Sequence, residues 1–224
     1  MGEKIVLTLE ELKKNPDIRT YIQKADEALI ALGFTEHSFA HVTRVAETAK
    51  YILQTLGYAE HEIELARIAG YLHDIGNLVN RTDHSQSGAV MAFRILDKLN
   101  MPAEDIAIIV SAIGNHDEGT GVAVNAVSAA LILADKSDVR RSRVRNTDTT
   151  SFDIHDRVNY SVEKSVLTIN DLHTEILLEL DVDTRYSSVM DYFEIFLKRM
   201  VMCRKAAAAL GLDFKLTING QQLM

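Results

Sequence analysis

The chain has 224 residues, enough for one large domain or a medium one with an appendage, and its 47% hydrophobic and 25% charged residues are ordinary for a globular protein. A formal net charge of −8 argues against general affinity for a nucleic acid backbone, so no nucleic acid polymer is expected as a partner. No apolar run approaches the roughly 18 residues of a membrane span, the N-terminus lacks the apolar core of a signal peptide, and Cys203 is the only cysteine, which excludes an internal disulfide; the expectation is a cytoplasmic protein without membrane contact.

In chain order, the pattern predicts a helix over 17–32 after Pro16, closed by Gly33. A second runs from about Ser38 to Leu56, with Val42, Val45, Ala49, Ile52, Leu53 and Leu56 spaced by threes and fours. A third covers about Ala59 to Ile75. Asp83 is an N-cap candidate for a helix from His84 to Leu99. Pro102 opens the next, which reaches Asn115 or His116, and another spans about Ala123 to Arg141. Residues 142–160 are polar and aperiodic and read as a long loop. Beyond it, "SVEKSVLTI" and "TEILLELDV" alternate like two strands joined by a turn at Asn170-Asp171. A helix from about Ser187 to Leu210 ends at Gly211, and "DFKLTI" makes a third strand. The expected fold is mainly α, a helical bundle over 1–145, followed over 146–224 by the loop and a small β-β-α-β unit.

The helices share a second feature. His41 lies four residues before Val45 on the apolar stripe of its helix. His84, Gly88, Ala92, Ile95 and Leu99 share one face, as do Ile106, Ile109, Ile113 and His116, and Val124, Ser128, Leu131, Asp135 and Asp138. "YLHDIG" puts His73 and Asp74 side by side on a helix that is ending. A lone inward histidine is more often a hydrogen-bonded core residue than a ligand, and a lone inward aspartate more often meets an arginine or a helix end. Five such helices in one bundle are harder to explain singly. Burying an isolated carboxylate costs several kcal/mol unless it is paired or bound to a cation, and one divalent centre would partner all of them. Imidazole and carboxylate without thiolate suit Fe, Mn, Zn or Ni. Two ions about 3.5–4 Å apart, bridged by an aspartate, are a recurrent device for cleaving phosphate esters.

With His41 in "AHVTRVAETA", His73 and Asp74 in "AGYLHDIGN", His84 in "HSQSGAVMAFRIL", His116 in "AIGNHDEG" and Asp135 in "ALILADKSDVRRSR", the chain resembles the HD-superfamily metal-dependent phosphohydrolases over roughly residues 36–145. The two extra histidines are similar to the binuclear branch, which includes the HD-GYP cyclic dinucleotide phosphodiesterases and the symmetrical diadenosine tetraphosphate hydrolases. The chain departs from the HD-GYP pattern at Asn77, where that group carries lysine, and at Asp117, where it carries histidine. The resemblance implies an HD-type helical bundle and two divalent transition-metal ions, Fe or Mn first, Zn or Ni as alternatives. It implies that His41, His73, Asp74 and Asp135 hold one ion and that His84, His116 and a bridging Asp74 hold the other. His73 and Asp74 would sit at the catalytic centre, where metal-activated water attacks a phosphomonoester, phosphodiester or anhydride of a small nucleotide-like substrate. A metal-containing regulatory protein that binds a nucleotide without turnover is the alternative, and a homodimer is among the assemblies open to it.

Arg140, Arg141, Arg143 and Arg145 form the one basic cluster in this acidic chain. They either bind substrate phosphate or form a charged helix end. Arg140, Arg141 and Arg143, with Lys136 and His37, are the candidate substrate contacts, and the 142–160 segment is the candidate wall or lid. His61, His155 and His173 read as non-ligands, and Cys203 reads as packing.

Overall fold

The computed structural model describes residues 7–224. Its helices are α1 (Leu9–Leu12), α2 (Pro16–Ala31), α3 (Phe39–Thr55), α4 (Glu60–Leu72), α5 (His84–Lys98), α6 (Ala103–Gly114), α7 (Ala126–Ser137), α8 (Ile154–Ser161) and α9 (Val189–Ala209). The strands are β1 (Val162–Ile169), β2 (Glu175–Val182), β3 (Asp213–Ile218) and β4 (Gln221–Gln222). Among the described residues, no helix is long and apolar enough to cross a membrane.

Helices α4 and α7 occupy the middle of the bundle. In α7 the run from Val127 to Ala134 is buried on every side, which is how a helix apolar all round behaves. In α4 the run from Ile63 to Leu72 is equally enclosed, except at Arg67. Helix α3 packs on both, with Val42, Val45, Ala49, Ile52 and Leu53 on its buried face. The crossing of α3 and α4 depends on small residues: a Cβ on Gly70 would lie 2.8 Å from the Cα of Ala46. This close approach brings the start of α3 to the end of α4, where His41 and His73 stand.

A four-stranded sheet of order β1-β2-β3-β4 covers the other side of α9. β1 and β2 are antiparallel, β2 and β3 parallel across the α9 connection, and β3 and β4 antiparallel. Ile176, Leu178 and Leu180 of β2 and Phe214, Leu216 and Ile218 of β3 are buried, as are Phe196, Met200, Cys203 and Ala207 of α9. Helix α9 also packs on α7, and one hydrophobic cluster runs from the bundle into the sheet.

Three expectations need correction. The helix expected to reach Arg141 stops at Ser137, because Asp138 leaves helical geometry (φ −82°, ψ 68°) and uses its carboxylate to accept from His41 and Arg140. The 142–160 segment is not wholly loop. Asp153 accepts a hydrogen bond from the Asp156 amide and caps α8, which carries Val158 and Asn159 inward. The sheet gains a fourth strand because Asn219 and Gly220 both take positive φ (52° and 77°) and close a two-residue hairpin.

Candidate metal centre

The end of α4 builds the first part of the site. Its last carbonyls have no helical partner, and His73 Nδ1 donates to one of them, Gly70 O, at 2.8 Å. The chain then turns through Asp74 (φ −93°, ψ 1°) into a 3-10 turn at Ile75–Leu78. Asn77 of that turn donates to Asp74 Oδ1 at 2.9 Å and fixes the carboxylate. A Cβ on Gly76 would lie 2.0 Å from His84 O and 2.3 Å from Gly88 N, so the turn lies directly on the start of α5. This contact delivers His84 to Asp74.

Each histidine of the cluster has its Nδ1 against an oxygen acceptor. His41 Nδ1 meets Asp138 Oδ2 at 2.8 Å, His84 Nδ1 meets Arg81 O at 3.1 Å, and His116 Nδ1 meets Ile113 O at 2.6 Å. With that proton placed on Nδ1, the neutral rings carry their lone pairs on Nε2. The four Nε2 atoms converge on Asp74 and Asp135. His41 Nε2 lies 3.4 Å from both Asp74 Oδ2 and Asp135 Oδ1. His73 Nε2 lies 3.2 Å from Asp74 Oδ2 and 3.6 Å from Asp135 Oδ1. His84 Nε2 lies 3.6 Å from Asp74 Oδ1 and 3.1 Å from His116 Nε2.

Between neutral rings, lone pairs facing lone pairs and carboxylate oxygens repel, and the carboxylates accordingly favour positive charge at His41 and His73. His41 Nε2, His73 Nε2 and Asp74 Oδ2 are moreover buried without a hydrogen-bond partner, a costly state for polar atoms. A cation among them removes both problems. Ligand atoms gather within 4.8 Å in three overlapping groups: His41, His73 and Asp74; His73, His116 and Asp135; and Asp74, His84 and His116. The donor set of imidazoles and carboxylates, without thiolate, fits a divalent transition metal.

The electrostatics point the same way. Burial disfavours an imidazolium at His73, yet Asp74 and Asp135 outweigh it and push the group up to about 10. Burial likewise opposes ionisation of Asp74 and Asp135, but the histidines around Asp74, and Lys136 beside Asp135, hold both well below the usual carboxylate range. Burial lowers His116 and His84, keeping them neutral and free to ligate. The pocket thus attracts positive charge strongly at one end and holds neutral imidazoles at the other.

A cavity of about 340 Å³ opens onto this cluster. His37 lines it, with its ring 5.5 Å from His41 and Nδ1 bonded to Thr35 O at 2.7 Å. Arg143 also lines it. Its Nε donates to Glu36 O at 2.9 Å and its Nη1 to Asp138 O at 2.7 Å, while Nη2 has no partner among the described residues. Lys136 reaches the cavity but is held between Glu118 (2.7 Å) and Asp135 Oδ2 (2.8 Å). Arg140 and Arg141 do not line it. Arg140 binds Asp138 and Glu36, and Arg141 donates to Tyr160 O and stacks 4.6 Å from the Tyr160 ring. Arg145 binds Asp26. His61 pairs with Asp105 and His173 sits in the β1–β2 turn, both outside the ligand groups. His155 is likewise in none of them, yet α8 brings it to the cavity wall. Cys203 is buried, with its thiol pushed up to about 12 by desolvation, and plays no part here.

Sequence reasoning missed several contributors. Asp138 was placed on the ligand-bearing face but not assigned, although it orients His41. Asn77 and Arg81 follow "HDIG" closely and carry no signal of their own. Phe196 and Arg199 reach the cavity from α9, some 120 residues downstream of His73; no local pattern announces that.

The HD domain family model matches residues 38–194, more than half of the chain. The chain belongs to the HD domain family. Over 179 residues it is 27% identical to Uncharacterized protein MJ1020 of Methanocaldococcus jannaschii, covering 69% of this chain and 68% of that one. It is also similar to a crystal structure described as a predicted HD superfamily hydrolase from an uncultured Thermotogales bacterium. There the identity is 25% and the TM-score 0.42, over 60% of this chain and 75% of the other. The HD match reaches past the ligand residues into α9, so β1 and β2 lie inside it. An HD domain with this ligand set is of the metal-dependent hydrolase kind.

Proposed function

We propose that this HD-domain protein is a phosphohydrolase that uses two divalent transition-metal ions, Fe or Mn before Zn or Ni, to cleave a phosphate ester or anhydride in a small nucleotide-like molecule. The observation that carries the reading is the convergence of four Nε2 lone pairs on Asp74 and Asp135, with every Nδ1 turned away onto an oxygen. His41, His73, Asp74 and Asp135 would hold one ion, and His84, His116 and the second oxygen of Asp74 the other. Metals held there would supply Lewis acidity toward phosphoryl oxygens and a water acidic enough to react at neutral pH.

The chain's own residues do the rest. Lys136 engages Asp135 Oδ2 and so leaves Oδ1 facing the two histidines. Asp138 holds the His41 ring in one tautomer and orientation. Arg143 lines the cavity with its Nη2 not committed to a hydrogen bond among the described residues, and a guanidinium there can grip phosphate oxygens. Burial pushes His37 well below its ordinary pKa, so its Nε2 stays a proton acceptor beside the cluster.

The test is elemental analysis of protein purified without added metal, followed by assays on p-nitrophenyl phosphate, its bis-ester and a nucleotide panel. Metal-dependent release of phosphate or nitrophenol is expected. A metal-replete protein that cleaves none of them would overturn the reading, and nucleotide binding without turnover would favour the regulatory alternative.

A further inference from the structure

The cavity is electrically two-sided, and this bears on which phosphorylated molecules it admits. Its cations divide into those already neutralised and those left over. Lys136 is held by Asp135 and Glu118, and Arg199 donates to Glu118 at 2.8 Å. Arg81 has no carboxylate partner among the described residues. Its Nη1 rests on Asn77 Oδ1 at 3.2 Å and lies 3.5 Å from His84 Nε2, and its guanidinium sits 5.7 Å from the Phe34 ring at the cavity wall. Arg143 is partly paired, with Nη1 3.9 Å from Asp138 Oδ2, but its Nη2 has no hydrogen-bond partner among the described residues, so the cavity has two guanidinium groups with unused N–H donors, of which Arg81 touches the ligand cluster. Asp74 lines this same cavity, and its Oδ2 is buried without a hydrogen-bond partner, with His41 Nε2 and His73 Nε2 directly behind it.

The wall made by α8 has the opposite sign. Asp153 and Asp156 line the cavity and neither forms an ion pair among the described residues. Asp153 accepts only from the Asp156 amide, and Asp156 only from Asn146 Nδ2 at 3.3 Å. Asn159 adds a side-chain oxygen, since its amide nitrogen is committed to His155 O. Carboxylates here repel a second or third phosphate group and accept hydrogen bonds from hydroxyl or amino groups.

We propose that the substrate is a monophosphate of a hydroxyl- or amine-bearing molecule, a sugar phosphate or nucleoside monophosphate, with its single phosphate gripped by Arg81 and Arg143 and its donor groups by the α8 carboxylates. This rests on the phosphohydrolase reading above and narrows it: polyphosphate chains are excluded by the acidic wall. The volume agrees, since about 340 Å³ lies at the small end of the roughly 300–1,000 Å³ typical of ligand pockets.

The experiment compares adenosine mono- and triphosphate, and ribose 5-phosphate and ethyl phosphate, on the metal-loaded full chain, by turnover and by calorimetric binding. The monophosphate is expected to exceed the triphosphate by about tenfold or more in kcat/KM and in affinity, and ribose 5-phosphate to exceed ethyl phosphate similarly. Arg81→Ala should raise KM for the monophosphate about tenfold with metal content unchanged. Asp153→Asn combined with Asp156→Asn should shrink both preferences. Equal or better use of the triphosphate, or preferences untouched by the aspartate substitutions, overturns this proposal while leaving the phosphohydrolase intact. If no ester is turned over, the phosphohydrolase reading fails, and the calorimetric preference for mono- over triphosphate still decides the substrate class.

Discussion

Asp74 has two oxygens with different neighbours. Oδ2 faces His41 and His73, while Oδ1 accepts from Asn77 and faces His84. Replacing it by alanine removes the atoms common to both halves of the cluster, so Asp74→Ala is expected to lose bound metal and all hydrolysis. Elemental analysis of variant and wild type side by side checks this, and equal metal content would contradict the assignment. Asp138 works at one remove. Its carboxylate takes His41 Nδ1, Arg140 Nε at 3.0 Å and Arg44 Nε at 3.2 Å, and His41, Arg143 and Arg140 hold it well below the usual carboxylate range despite burial. Asp138→Ala leaves the His41 ring free to turn and to change tautomer. Metal affinity should fall by about 10–100-fold, the usual effect of removing a carboxylate behind a ligating histidine, as read by competition with a chromogenic chelator. Asp138→Asn keeps an oxygen acceptor for Nδ1 and should lose less.

At the level of elements, the centre depends on two close backbone approaches. Gly70 lets α3 and α4 meet, and Gly76 lets the turn after Asp74 lie on α5. The atoms a Gly76 Cβ would strike are backbone, His84 O and Gly88 N, so no side chain can rotate out of the way. Gly76→Ala should therefore destabilise by about 3 kcal/mol or more and separate His84 from Asp74, both visible in urea unfolding and metal titration. Gly211→Ala is the comparison. Its φ of +76° is unfavourable for alanine but nothing lies within 4 Å, so the cost should stay near 1–2 kcal/mol with metal binding unaltered. The helices that carry ligands were legible because α3, α5 and α6 have a 3.6-residue apolar stripe and α4 and α7 are long, largely apolar runs. Helix α8 was not, because its eight residues hold too few apolar positions to show a period, and its only signal was Asp153 followed three residues later by Asp156. The Asn219-Gly220 hairpin was legible in principle, since that dipeptide is a strong two-residue turn signal, but β4 is only two polar residues long.

For the whole molecule, metal binding and folding are linked, because the unfolded chain offers no preformed site. At free metal near a thousand times Kd the linkage is worth about 4 kcal/mol, and a chain of this length shifts by about 2–4 °C per kcal/mol. Chelation should accordingly lower Tm by roughly 10 °C in wild type and leave Asp74→Ala unmoved, which thermal unfolding with and without EDTA will show. A chain ended after Arg145 should lose cooperative unfolding altogether. It would uncover the face of α7 that packs on α9, and it would remove Phe196 and Arg199 from the cavity. The sequence by itself determined which residues can ligate a metal, the helices that carry them, and the strand alternation of the C-terminal unit, because residue type and periodicity are local properties. Only the tertiary structure decided that Asp138 stands behind His41, that Arg143 faces the cavity while Arg140 and Arg141 turn away, and that α8 and α9 supply two of its walls. Those relations join residues about a hundred positions apart, and they follow from how close backbones approach and which hydrogen bonds remain unmet once the helices have packed.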